Sequence, residues 1–360
     1  MPLFQGLSAF PITPTDQAGV VDTSALGIIL NRIKEAGADS IGLLGSTGGY
    51  AFLSRDQRRR AAETALATVG GKIPVIVGVG ALRTDEAQAF ARDAREAGAD
   101  GLLLAPVSYT PLTEQEVYEH YAAVADVGQL PLCVYNNPST TKFTFSVRLI
   151  ERLAKVPNIV AIKMPLPADG NYSFEMATIR HHTASTFATG YSGDWGAADA
   201  LLAGADAWYS VVAGLLPSEA LALTRAAQSG DIEGAERVNR AFEPLWSLFK
   251  EFGSFRVMYA IAEIVGVGSF EPPVQFWGFN LKHASGSQRQ SMDSVLQSTH
   301  RLCNSVVSPV DTSEQGSAVP GGSQRSKSGR LSAGTLYRPH CQCRRLRDLS
   351  PFHSSRSALP

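Results

Sequence analysis

From Gly6 to Val211 the chain carries eight apolar runs, at 6–13, 41–44, 75–79, 101–105, 132–135, 160–163, 186–189 and 207–211. The runs are apolar throughout and do not alternate with polar residues, so each reads as a strand covered on both faces, as in a parallel sheet under helices. Amphipathic segments separate them, among them 23–36, 54–69, 84–97, 113–127, 146–154, 173–181 and 194–203. Most of these open on Ser, Thr or Asp, the residues that cap helix N-termini. Pro111, two residues before Thr113, stops the preceding strand from running on.

A short repeat supports the alternation. Glu35-Ala36-Gly37-Ala38-Asp39 recurs as Glu96-Ala97-Gly98-Ala99-Asp100, 61 residues later, and in altered form as Leu202-Ala203-Gly204-Ala205-Asp206. Each copy follows a helix-like segment and precedes an apolar run, so the Gly reads as a helix C-cap and the Asp as a turn residue before the strand. Eight such units in about 210 residues predict an α/β fold of the (β/α)8 TIM barrel type. A doubly wound open sheet is the alternative, but no Gly-x-Gly-x-x-Gly follows the first strand to support it.

The expected domains are a barrel over 1–215, a C-terminal helical extension over 216–303 and a disordered tail over 304–360. The extension reads as helical from 218 to 266, then a Pro- and aromatic-containing stretch at 271–280, then a polar helix at 287–302. The tail is rich in Ser, Gly, Pro and Arg, with eight Lys or Arg against three Asp or Glu, too little apolar area to offset its ordering entropy. Its His340-Cys341-Gln342-Cys343 is a weak metal signal, because two thiols one residue apart lack a second pair.

Composition narrows the function. A chain of 360 residues that is 44% apolar can bury a full core, and a net charge of −1 argues against nucleic acid as partner. No leader-like apolar segment and no twenty-residue apolar stretch occurs, which predicts a cytoplasmic protein with no membrane partner. The four cysteines, Cys133, Cys303, Cys341 and Cys343, form no disulfide framework.

Candidate chemistry lies at strand ends. The run Asn158-Ile159-Val160-Ala161-Ile162-Lys163 closes on a lone ammonium, 28 residues after Tyr135, which closes Leu130-Pro131-Leu132-Cys133-Val134-Tyr135. One strand-helix-strand repeat has that length, so amine and phenol would emerge at the same end of adjacent strands. A lysine attacks a carbonyl only as the neutral amine, and an apolar barrel mouth disfavours its charge. Taken alone, Lys163 reads equally as a phosphate-binding or salt-bridging lysine at the rim. Tyr135 adds a proton shuttle for imine formation, with Thr47 as the hydroxyl relay, in Gly45-Ser46-Thr47-Gly48-Gly49 after the second strand. Successive N–H groups in that loop would cradle the carboxylate of a 2-oxo acid.

The order of these motifs resembles the dihydrodipicolinate synthase / N-acetylneuraminate lyase family of class I Schiff-base barrels. The resemblance runs from about Leu7 to Leu302 through Thr13-Pro14, Gly45-Ser46-Thr47-Gly48 with Leu53-Ser54, Tyr135-Asn136-Asn137-Pro138-Ser139, Ile162-Lys163 and Ser192-Gly193-Asp194. It implies Lys163 as imine former, Tyr135 as proton shuttle, Ser46 and Thr47 as carboxylate binders and relay, and Gly193 as a wall of the pyruvoyl pocket. It also implies a homotetramer of tight dimers, or a homodimer, with no metal and no organic cofactor.

The departures shape the expected substrate. The family's synthases carry an Arg two residues after the motif's Pro to grip the aldehyde's carboxylate; here Thr140 stands there, and a hydroxyl cannot replace a guanidinium–carboxylate pair. The tyrosine contributed across the dimer aligns with Ser108, with Tyr109 adjacent as a stand-in; Gly49 replaces an acid, and Tyr209 replaces a smaller aliphatic in strand eight. The expected substrates are thus pyruvate or a 2-oxo-3-deoxy acid, with an aldehyde as second partner in the aldol direction and Thr140, Tyr209 and Tyr109 beside it. Aldol chemistry and dehydration both stay open, lysine biosynthesis is set aside, and a non-catalytic 2-oxo-acid-binding barrel is the other class. The remaining features read as structure: His181-His182 at a helix C-terminus, Arg58-Arg59-Arg60 as a solvated helix face, and Trp195, Trp208, Trp246 and Trp277 as packing.

Overall fold

The computed structural model describes residues 2–270. Within them eight parallel strands close into a barrel in sequence order: β1 (Gly6–Ala9), β2 (Ser40–Leu43), β3 (Val75–Gly78), β4 (Gly101–Leu104), β5 (Leu132–Tyr135), β6 (Ile159–Met164), β7 (Ala188–Tyr191) and β8 (Ala207–Ser210). β8 returns to β1 with Leu7 opposite Trp208 and Ser8 opposite Tyr209. The TIM barrel expectation is borne out. The helices are α1 (Thr23–Ala36), α2 (Arg55–Val69), α3 (Thr84–Ala97), α4 (Glu114–Gly128), α5 (Pro138–Thr141), α6 (Val147–Leu153), α7 (Tyr172–His182), α8 (Ala197–Leu202), α9 (Pro217–Gln228), α10 (Ile232–Phe252) and α11 (Ser254–Ile264). The expected helical region at 218–266 is thus α9, α10 and α11. The segments at 271–280 and 287–302, the tail at 304–360, Trp277 and the three later cysteines lie outside the described residues.

Local chemistry explains most boundaries. Asp22, Ser54, Thr113, Ser146 and Asn171 accept from the backbone at the starts of α1, α2, α4, α6 and α7, and Thr113 with Glu116 completes a reciprocal capping box. Thr84 does not cap α3, because its hydroxyl is taken by His120 Nδ1 at 2.9 Å. β1 stops at Ala9 because Pro11 has no N–H to give the ladder. β7 begins two residues later than the apolar run, since Phe187 N–H turns back onto the Ala184 carbonyl.

The repeated Asp does more than turn the chain. Asp39, Asp100 and Asp206 accept from the N–H of Leu7, Val75 and Thr189 at 2.7, 2.8 and 2.8 Å, each on the strand one place earlier in the barrel. The backbone N–H of each Asp donates to the carbonyl of that same residue at 2.9 Å. The repeat therefore stitches neighbouring strands together at the foot of the barrel.

The run Arg58-Arg59-Arg60 is not a uniform solvated face. Arg59 and Arg60 are exposed, whereas Arg58 is 6% exposed. The helical period places Arg58 on the face of Ala61, Ala62 and Ala65, whose small side chains leave room for it. Its Nη2 donates to the carbonyls of Gly78 and Gly80 at 3.3 and 3.0 Å, and its guanidinium lies over the rings of Phe90 and Tyr50. Trp208 and Trp246 are buried as expected; Trp195 is exposed and lies under the Lys250 ammonium, because its 3₁₀ turn sits at the barrel rim.

Along the strands, residues pointing inward form the second core: Phe10, Ile76, Leu103, Cys133, Tyr135, Ala161, Ala207 and Tyr209 among them. Among the described residues no helix is long and apolar enough to cross a membrane.

Candidate active site

At the carboxyl ends of the strands, β5 and β6 are in register with Tyr135 opposite Lys163. Both side chains point inward, as the alternation of a strand requires for residues two positions above Cys133 and Ala161. Lys163 is 3% exposed, and its Nζ lies 4.2 Å from the Tyr135 ring centroid, 4.3 Å from that of Phe10 and 5.7 Å from that of Tyr209. No carboxylate forms an ion pair with it among the described residues.

The loop after β2 brings the polar groups. Leu44 takes a left-handed conformation, φ 56°, and turns the chain so that Ser46 faces β5. That turn fits only because residue 78 is glycine: a Cβ there would stand 1.9 Å from the Leu44 carbonyl oxygen. Ser46 Oγ lies 3.4 Å from the Tyr135 hydroxyl, and Asn137 Nδ2 donates to that hydroxyl at 3.0 Å. With its oxygen accepting from Asn137, the phenol keeps its proton available, and in the contact with Ser46 either hydroxyl can donate. Thr47, the expected relay, is buried beside Ser46 but makes no bond to Tyr135 among the described residues. Asn137 has no assigned role in the sequence reading, because nothing in Asn-Pro signals that its amide would fold back onto the phenol.

The other expected site residues are spread. Gly193 has φ 95°, and a Cβ there would meet Leu166 Cγ at 2.8 Å. Tyr209 is 1% exposed and lies below Lys163, with its hydroxyl 3.5 Å from Cys133 Sγ. Thr140 is exposed on α5 at the rim, its hydroxyl donating to the Asn137 carbonyl at 3.3 Å. Tyr109, at 96% exposure, projects away from the protein surface. Among the described residues no three His, Cys, Asp or Glu side chains converge to hold a metal.

Asp194 was expected to open a helix and instead is buried as an anchor behind the site. Its carboxylate accepts from Trp208 Nε1 at 2.8 Å and from the N–H groups of Val211 and Val212 at 3.1 Å, tying the Gly193 turn to the end of β8. Burial pushes its pKa up from 3.8 to about 6, against the pull of those donors. Between pH ~4 and ~6 the folded state keeps this proton and the unfolded state has lost it, so this group's contribution to stability falls as pH rises through the window. The stability advantage of the unmodified protein over Asp194→Asn should therefore shrink from pH 4 to pH 6, by at most about 3 kcal/mol. Urea midpoints of both proteins across that range check this; a widening gap refutes it.

A closed parallel barrel with a buried lysine near the end of its sixth strand, beside a phenol on the fifth, has the parts of a class I lyase, the class that works through a lysine imine. The chain belongs to the dihydrodipicolinate synthetase family, whose model matches residues 3–275. The 4-hydroxy-tetrahydrodipicolinate synthase of Alcanivorax borkumensis is 35% identical over 255 residues, covering 70% of this chain and 85% of that protein. A crystal structure of a dihydrodipicolinate synthase from Agrobacterium tumefaciens is similar with a TM-score of 0.79 and 55% identity, over 82% of this chain and 98% of that one. The Aquifex aeolicus enzyme of the same name gives 0.70 at 28%, over 83% and 98%. The family expectation and the enzyme class are borne out, and the non-catalytic barrel falls away. These relatives carry the synthase's name, so they lend no support to setting lysine biosynthesis aside.

Proposed function

We propose that Lys163 forms an imine with the carbonyl of a 2-oxo acid, pyruvate or a 2-oxo-3-deoxy acid, and that the enzyme makes or breaks the adjacent C–C bond or expels a β-hydroxyl. The observation that carries this reading is the Lys163 amine buried beside Tyr135 with no carboxylate partner among the described residues. The amine nitrogen adds to the carbonyl carbon, and the oxygen takes up two protons, one from nitrogen and one through Tyr135, and leaves as water. The iminium then accepts an electron pair, that of the C–C bond in cleavage or that of the α-C–H bond in dehydration, where the enamine so formed expels the β-hydroxyl, which takes up a proton and leaves as water. Ser46, in contact with the phenol, takes the relay place expected of Thr47, and both residues with their loop N–H groups hold the carboxylate. Gly193 lines the pyruvoyl side, where any side chain would displace Leu166. No metal or organic cofactor enters this scheme. A homotetramer or homodimer belongs to the same reading, with Tyr109 meeting a partner subunit.

For the second substrate, Thr140 supports an uncharged, hydroxylated partner. Against aspartate semialdehyde the missing charge-assisted contact costs roughly 1.5–3 kcal/mol, about one to two decades in rate constant. The relatives' shared name supports a second reading, dihydrodipicolinate synthase itself. A side-by-side assay of aspartate semialdehyde with pyruvate against a panel of 2-oxo-3-deoxy sugar acids separates the two. The first reading expects slow condensation by the unmodified protein and a gain in Thr140→Arg. Efficient dihydrodipicolinate formation without the substitution establishes the second.

A further inference from the structure

Phe10 and Tyr209 bring two buried aromatic rings to the inside of the barrel beside Lys163. Room for them comes from glycines on the neighbouring strands β2 and β7 and in the loop after β2. A Cβ at Gly42 would stand 2.2 Å from Phe10 Cζ, one at Gly45 2.6 Å from Phe10 Cδ1, and one at Gly190 2.7 Å from Tyr209 Cε2. The two rings meet edge to face, with centroids 5.9 Å apart and planes at 89°. Packing on every side therefore fixes the Phe10 ring, which is 2% exposed, with its face toward Lys163 Nζ.

We propose that Phe10 and Tyr209, with the Tyr135 ring, form an uncharged aromatic cradle that stabilises the Lys163 iminium, making Phe10 and Tyr209 positioning residues for the reaction. This rests on the reading of Lys163 as the imine former. An imine is less basic than the amine it came from, so its positive charge needs support if it is to serve as an electron sink. A carboxylate below Nζ would give that support at a cost: it would offset the pull of the iminium on the breaking bond and repel the substrate's own carboxylate. The faces of π systems attract a cation without bringing a net negative charge. The titratable groups that face Nζ are Tyr135, Cys133 and Tyr209, phenols and a thiol. Burial pushes the Cys133 thiol up to about 12 and the Tyr209 phenol well above its ordinary value, so neither puts an anion on the pocket floor at neutral pH.

The test replaces Phe10 with mono-, di- and trifluorophenylalanine, which drain charge from the ring face while nearly preserving its volume. Imine formation with pyruvate is followed by cyanoborohydride, which reduces the protonated imine, across a pH series. The expected result is a stepwise fall in trapping rate, on the order of tenfold from Phe to the trifluoro ring, with the pH midpoint for trapping moving down by about one unit. A rate and midpoint that stay flat across the fluorinated series, with loss only in Phe10→Leu, would mean a steric role and overturn the proposal. Peptide mapping of the borohydride adduct in the unmodified protein keeps the two readings apart: an adduct on Lys163 upholds the imine assignment whatever the series shows. Its absence removes that assignment and the cradle together.

Discussion

Incubation with pyruvate and borohydride should add one reduced, pyruvate-derived imine per chain, on Lys163, and Lys163→Ala should abolish both the adduct and turnover. Among the described residues Lys163 is the lysine that lies on a barrel strand and points into the barrel; Lys34, Lys142 and Lys155 lie elsewhere and bond to oxygens of helix residues. Nζ is buried inside the barrel, forms no ion pair among the described residues and faces three rings. Loss of covalent catalysis removes the electron sink itself, so no neighbouring group can compensate. Intact mass before and after reduction, with peptide mapping, decides the matter. An adduct that survives in Lys163→Ala, or maps to another lysine, sinks the mechanism.

Tyr135→Phe should lower kcat by ~10²–10⁴-fold while leaving the fold intact, the scale of a lost general acid–base group. The substitution removes one oxygen. It keeps the ring that packs in the barrel core and faces Lys163 Nζ, but it breaks the contacts to Asn137 and Ser46, and with them the proton path. Slower but complete borohydride trapping, with an unchanged far-UV spectrum and Tm, would mark a proton-transfer defect. Near-full turnover of Tyr135→Phe on a substrate found in the panel would show that the phenol carries no essential proton.

The barrel was legible because its signals are local and repeated. Apolar runs separated by capped amphipathic segments determine which stretches are strands and which are helices, and Ser54, Thr113 and Ser146 settle helix starts. The pairing of Tyr135 with Lys163 was legible for the same reason, since one repeat length between two strand ends puts both residues at one rim. Arg58 was misread because its neighbours in sequence are charged, whereas its burial follows from the helix face it shares with three alanines.

By itself, then, the sequence determined the order of elements, the closed parallel barrel and the amine and phenol at its mouth, all of which depend on periodicity and spacing along the chain. Only the tertiary structure decided what touches them. Ser46 rather than Thr47 reaches the phenol because Leu44 adopts a left-handed turn that Gly78, on the next strand, leaves room for. Phe10 meets Lys163 because Gly42 and Gly45, on the neighbouring strand and its loop, make room for its ring. Asp194 became a buried anchor because Trp208 and the end of β8 close over it. Each of these contacts joins residues from different βα units, and its geometry is set by side-chain volume and donor direction in three dimensions, which no one-dimensional pattern encodes.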